Sequence, residues 1–198
     1  MVSYTPNPAR RATIAEILES HHIFTVQGDG DNKPSKYALL PTGERANMVF
    51  LIVTLKDVKV DERSATGTIY DKTGHMKIRS SSEYQAAAYD HIKRLSKNLP
   101  AHIAICGRIN VYEPEKKEGE KSPDRFISIQ PEGIAQVERE YRDLWNEDTL
   151  QETIRRAESW NMEALTEDQE KTREIYGPEL KDTILQRVKE AYQGTGTA

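Results

Sequence analysis

Two stretches of this chain hold side chains with a shared chemistry. The first contains Tyr70, Lys72, His75, Lys77 and Arg79; the second is Tyr112, Arg125 and Phe126, set around a lysine- and glutamate-rich segment. Rings offer flat apolar faces and cations offer charge, which suits a ligand that is both flat and anionic. Single-stranded nucleic acid is such a ligand, because bases stack on rings for ~1–3 kcal/mol each and phosphates pair with Lys or Arg. Other chemistries lack their parts. No Gly-rich phosphate loop, nucleophile beside a base or paired-carboxylate signature occurs, so the chain reads as not an enzyme. Cys106 is the single cysteine, which excludes a multi-cysteine zinc site, and no His or acid is placed to activate it. His21-His22 has no further ligand type at a supporting spacing and reads as polar surface. Asp29 and Asp31 resemble the start of a calcium loop. However, Lys33 stands where the third ligand belongs and Leu40 where the closing acid belongs, so Gln27 to Lys36 reads as a plain loop. No metal or cofactor is expected.

The first stretch is positioned by a hairpin. On either side of Asp71-Lys72-Thr73-Gly74 the residues alternate, with Ile69, Met76 and Ile78 to one side and Tyr70, His75, Lys77 and Arg79 to the other. Period-two alternation around a turn ending in Gly predicts two strands with one buried and one solvated face. Asp71 is read as bonding the backbone of its own turn.

Before the hairpin, Met48 to Leu55 is β-branched and aromatic, as a strand buried on both faces should be, and Val58 and Val60 then alternate with polar residues. That change predicts a bulge near Lys56-Asp57. Glu83 to Lys97 shows helical spacing through Tyr84, Ala87, Ala88, His91, Ile92 and Leu95, and Asn98 and Pro100 end it. Ile103, Ile105, Ile109 and Val111 alternate again around Gly107, a residue that permits a sharp bend. A last strand runs from Phe126 to Gln130 with Ile127 and Ile129 inward. Strand, hairpin, helix, hairpin is the order of the five-stranded Greek-key oligonucleotide/oligosaccharide-binding (OB) barrel with a helix between strands three and four. The predicted fold is therefore mainly β, followed by a C-terminal α-helical region.

Beyond Glu138 the chain reads as helical. Asn146 is a candidate cap for a helix with Leu150, Ile154 and Ala157 on its apolar side, and Trp145 and Trp160 lie near its ends. Thr166 to Gln169 matches a capping box, and Gly177-Pro178 breaks the helix it opens. Leu180, Ile184, Leu185, Val188 and Ala191 form the stripe of a last amphipathic helix. These stripes exceed what a small barrel covers, so Trp145, Leu150, Ile154 and Trp160 are the expected partner surface. Ahead of the barrel, residues 1–46 read as a partly ordered arm, with Thr13 to Leu18 a short strand or one helical turn. The expected organisation is an arm (1–46), a barrel (47–137) and a helical association region (138–198).

The chain has 28 Lys and Arg against 32 Asp and Glu, for a formal net charge of −4. A self-sufficient nucleic-acid binder is usually basic, so this balance implies a local basic patch or a surface shared with a partner. No run approaches the ~20 apolar residues of a membrane span, and no basic-then-apolar leader opens the sequence. The expectation is a cytoplasmic, nucleoid-associated protein without a membrane partner.

Three segments carry a resemblance. Tyr37-Ala38-Leu39-Leu40-Pro41-Thr42-Gly43-Glu44-Arg45-Ala46-Asn47 leads into the first strand, Asp71-Lys72-Thr73-Gly74 turns the hairpin, and Arg142-Asp143-Leu144-Trp145-Asn146-Glu147-Asp148-Thr149 opens the helices. In these the chain resembles the archaeal replication protein A-associated proteins, over roughly residues 10–192. The resemblance implies a subunit of a replication protein A complex that binds single-stranded DNA without base specificity in replication and repair. It also implies a larger partner subunit with further OB folds, and a helix after the barrel that joins the two. The alternative is an assembly subunit that does not contact DNA and braces that partner through its helices.

Overall fold

A computed structural model of the chain describes residues 8–27, 34–115 and 125–194. The readings for Asp29 and Asp31, and for the mixed-charge loop containing Lys116, Lys117 and Lys121, fall outside the described residues.

The strand of β-branched and aromatic residues is β5 (Val49–Val60), and the hairpin is β6 (Ser64–Tyr70) with β7 (His75–Ser81). Helix α2 (Ala86–Leu95) leads to β8 (Ala101–Tyr112) and β9 (Phe126–Gln136). Antiparallel pairing joins β5 to β6, β6 to β7, β9 to β8 and β8 back to β5, and the parallel pair β7–β9 completes a closed five-stranded barrel. The predicted bulge is present: the β5–β6 register shifts between Leu55 and Asp57, which leaves Lys56 as the extra residue. A second bulge lies in β8–β9 at Cys106/Gly107. A Cβ on Gly107 would lie 2.6 Å from the Gln130 carbonyl oxygen, so only glycine lets β9 approach there.

The core is filled by inward residues of all five strands, among them Leu51, Leu55, Ile69, Ile78, Ile103, Ile105 and Ile129. Each such side chain contributes about 1.5–3 kcal/mol by leaving water. Helix α2 adds Ala88, Tyr89, Ile92 and Leu95. Tyr84, expected on its apolar face, lies before the helix and is 77% exposed. Tyr89 takes that place and donates its hydroxyl to the Asp61 carbonyl at 2.9 Å.

The segment read as a partly ordered arm carries five elements. β1 (Arg10–Arg11) pairs in parallel with β5 and adds a strand to the sheet. Helix α1 (Ile14–Glu19) sends Ile14 and Ile17 into the barrel core. β2 (Ile23–Val26), β3 (Ser35–Leu40) and β4 (Glu44–Ala46) form a separate antiparallel sheet. Asp71 explains why six residues suffice for α1. Its carboxylate accepts from Thr73 N, Thr73 Oγ1 and Gly74 N in its own turn, as expected, and also from Ile14 N at 2.8 Å. Thr73 Oγ1 accepts from Ala15 N, and Thr13 Oγ1 accepts from Glu16 N. The hairpin turn thus satisfies N–H groups that a short helix leaves orphaned.

The C-terminal region is α3 (Arg139–Glu158), α4 (Glu167–Tyr176) and α5 (Pro178–Gln193). The Thr166/Gln169 capping box opens α4, and Gly177 at φ 78° turns the chain into Pro178. Asn146 is not a cap. α3 begins a full two turns earlier, with Glu138 in the cap position, and Asn146 is buried within it. The helix starts early because its first turns lie against the outer side of β5: Trp145 packs edge-on to Phe50 at 4.9 Å, and Arg142 donates to Thr54. No helix among the described residues is long and apolar enough to cross a membrane.

Candidate nucleic-acid interface

The bulge at Lys56 divides the outer wall of the barrel. Before it, α3 covers β5 from outside; after it, Asp57 and Lys59 are exposed. Cross-strand register then builds rows along the uncovered wall. The first row is Lys59, Thr66 and Arg79. The second crosses five strands: Asp57, Thr68, Lys77, Ser128 and Asn110. The third holds the rings. Tyr70 pairs with His75 on β6–β7, and Tyr112 pairs with Phe126 on β8–β9.

The rings are arranged as stacking platforms. Tyr70 and His75 lie 5.3 Å apart at 25°, and Tyr112 and Phe126 lie 6.5 Å apart at 28°. Lys56 holds its ammonium 4.4 Å from the Tyr70 centroid, a cation–π contact that also places charge beside the ring. Tyr112 is 59% and Phe126 48% exposed. Lys77 donates to Thr68 Oγ1 at 2.5 Å, which holds its stem along the sheet. Arg79 and Arg63 make no ion pair among the described residues and line a groove of about 890 Å³ with Asn110, Ser128 and Gln130. Asp61 and Glu83 line the same groove as opposing charges.

Six of the eight expected residues lie on this wall: Tyr70, His75, Lys77, Arg79, Tyr112 and Phe126. Arg125 directly precedes Phe126, and its charge is felt by His21 and Tyr176. Lys72 lies elsewhere, in the hairpin turn beside Trp145 and Ala12, where α1 and α3 meet. Sequence reasoning passed over Lys56, Lys59, Arg63, Asn110, Ser128 and Gln130. Strand parity could have found Lys59, Asn110 and Ser128, whereas Lys56 reaches Tyr70 only because it is the bulged residue. Cys106 is half-buried, and burial pushes its thiol up, away from a reactive thiolate.

The four residues expected to meet a partner make contacts within the chain. Leu150 is buried with Ala15, Ile184 and Val188, and Ile154 packs on that cluster. Trp145 lies between Phe50 and the Arg11 guanidinium, 4.1 Å from its centroid. Trp160 donates Nε1–H to the Thr42 carbonyl at 3.0 Å.

A closed barrel in the order β5-β6-β7-β9-β8 defines an OB fold, here with rings and cations on one open wall. No protein-family model matches the chain, and no curated protein matches it. Among solved structures it is similar to a replication protein A heterotrimer bound to single-stranded DNA, at TM-score 0.43 and 14% identity over 72% of this chain and 92% of that one. It is also similar to the Stn1–Ten1 complex of S. pombe, at TM-score 0.40 and 12% identity over 59% and 74%. A third is Rim1, a mitochondrial single-stranded DNA-binding protein of S. cerevisiae, at TM-score 0.34 and 14% identity over 46% and 92%. These likenesses are at the level of the fold.

Proposed function

We propose that this chain is a single-stranded DNA-binding OB subunit of a replication protein A-type complex, acting without base specificity in replication and repair. The observation that carries the reading is the open wall itself: paired rings at one end, with Lys59, Lys77 and Arg79 on adjoining rows. Rings stack on any base and cations meet any phosphate, so the arrangement supports binding without sequence readout. The test is fluorescence anisotropy of labelled oligothymidine with the parent and with a Tyr70→Ala, Lys77→Ala, Arg79→Ala variant. The variant should bind at least tenfold more weakly while its melting curve is unchanged. Equal binding by a folded variant would sink the reading, and tighter binding of an RNA of equal length would redirect it.

A second reading, an assembly subunit that braces a larger partner, draws on α3. Tyr141 and Leu144, three residues apart on that helix, are 64% and 62% exposed, so they form an apolar pair facing solvent. α5 already covers Leu150 and Ile154, so the partner surface in this reading is Tyr141 and Leu144. Deleting residues 139–198 would strip the buried Arg156 from Glu16 and confound the result. The surface variant Tyr141→Glu, Leu144→Glu should abolish co-purification with a partner while leaving the fold intact. Retention of the partner would remove this reading.

A further inference from the structure

The groove on the barrel wall does not end at the barrel. β8 pairs with β5 only as far as Gly107; from Arg108 to Tyr112 it pairs with β9 alone. Its other edge therefore faces the separate β2–β3–β4 sheet across a second groove of about 260 Å³. Ile23, Lys36 and Asn47 line that groove from the sheet side, and Arg108 lines it from β8. Asn110 and Gln130 line both grooves. Through these shared residues the two grooves adjoin, with Arg63 and Arg79 lining the first and Lys36 and Arg108 the second.

The second groove has the same chemistry as the first. Lys36 is exposed and makes no ion pair among the described residues. Ile23, 37% exposed, offers an apolar surface to a base. Asn47 donates to the Lys36 carbonyl at 2.7 Å, which ties β4's end to β3 and keeps that wall in place. Arg108 is held by Glu132 at 2.5 Å, so among the described residues Lys36 is the cation of this groove without an ion pair. Tyr37 also lines this groove, and its ring stacks on Phe24, which Lys171 covers at 4.0 Å.

We propose that the β2–β3–β4 sheet extends the path of a single strand of nucleic acid: the strand leaves the barrel wall at Asn110 and Gln130 and runs past Lys36 and Ile23. The proposal rests on the barrel-face reading above, and the test separates the two. Anisotropy is measured on the full chain with oligothymidines of about 6 nucleotides, within the span of one OB fold, and of about 24, beyond it. The proteins compared are the parent, Lys36→Ala and Lys36→Glu. With the long strand, Lys36→Glu should weaken binding about three- to tenfold. Lys36→Ala should make the dependence of log K on log salt shallower by about 0.7, one phosphate contact. The short strand should bind all three proteins alike. Parent-like binding of the long strand by Lys36→Glu, or equal weakening for both lengths, overturns the extension and leaves the barrel face standing. A parent that binds neither length overturns the barrel-face reading, and the extension with it.

Discussion

Removing Lys77 and Arg79 together gives a sharp quantitative test of the barrel face. Arg63 and Lys59 join them on the uncovered wall or its groove, so a short strand lying there meets about four cations. For single strands each phosphate contact contributes about −0.7 to the slope of log K against log salt, which predicts a slope of about −2.8. Raising salt from about 50 to about 200 mM, a fourfold change, should then weaken parent binding about 50-fold. In Lys77→Ala, Arg79→Ala two contacts remain, the slope falls to about −1.4, and the same salt step costs about sevenfold. Both side chains are exposed, so stability should change by no more than about 0.5 kcal/mol. The assay is anisotropy of a labelled oligothymidine of about 6 nucleotides, within one OB-fold span, across a salt series. Removing rings should behave differently. Tyr112→Ala, Phe126→Ala should lower affinity at every salt concentration by about 1–3 kcal/mol per lost stack while leaving the slope unchanged. A parent slope shallower than about −1, or a double variant that keeps the parent slope, refutes the phosphate roles.

Three further outcomes follow from the geometry. Arg156 is almost buried and forms a bidentate pair with fully buried Glu16, with Thr42 Oγ1 also donating to that carboxylate. Arg156→Ala should cost about 3–5 kcal/mol in urea unfolding, and Glu16→Gln in the same chain should recover part of it, because the uncompensated charge is gone. Gly43 has φ +88°, and a Cβ there would lie 2.7 Å from the Trp160 ring. Gly43→Ala should therefore destabilise by more than about 1 kcal/mol and shift tryptophan emission as the ring is displaced. Burial holds His21, His22 and His102 below the ordinary histidine value of 6.5, with Arg125, Lys171 and Arg142 adding to the effect in turn. The unfolded chain then binds more protons than the folded one, so the urea midpoint should fall as pH drops through 6.5. Replacing the three histidines by glutamine should flatten that part of the profile, and an unchanged profile would contradict the assignment.

What could be read directly from the sequence was whatever depends on neighbours along the chain. Alternation at Tyr70 to Arg79 marked the outward face because side-chain direction in a strand has period two. The bulge at Lys56, the Thr166/Gln169 capping box and the Gly177-Pro178 break are likewise local, set by backbone angles and by bonds spanning three residues. Composition and order of strands were enough for the barrel. The remaining features depend on groups far apart in sequence. Helix α1 is too short to be read from periodicity, and it stands because Asp71 and Thr73, 57 and 58 residues away, bond its first N–H groups. α3 begins at Arg139 rather than Asn146 because β5 offers an outer surface to cover. Leu150 and Ile154 show the same helical spacing whether they meet a partner or α5, and only packing decided for α5. The groove beside Lys36 is of this kind too: its walls come from β8 and from a sheet formed tens of residues earlier, brought together where β8 parts from β5.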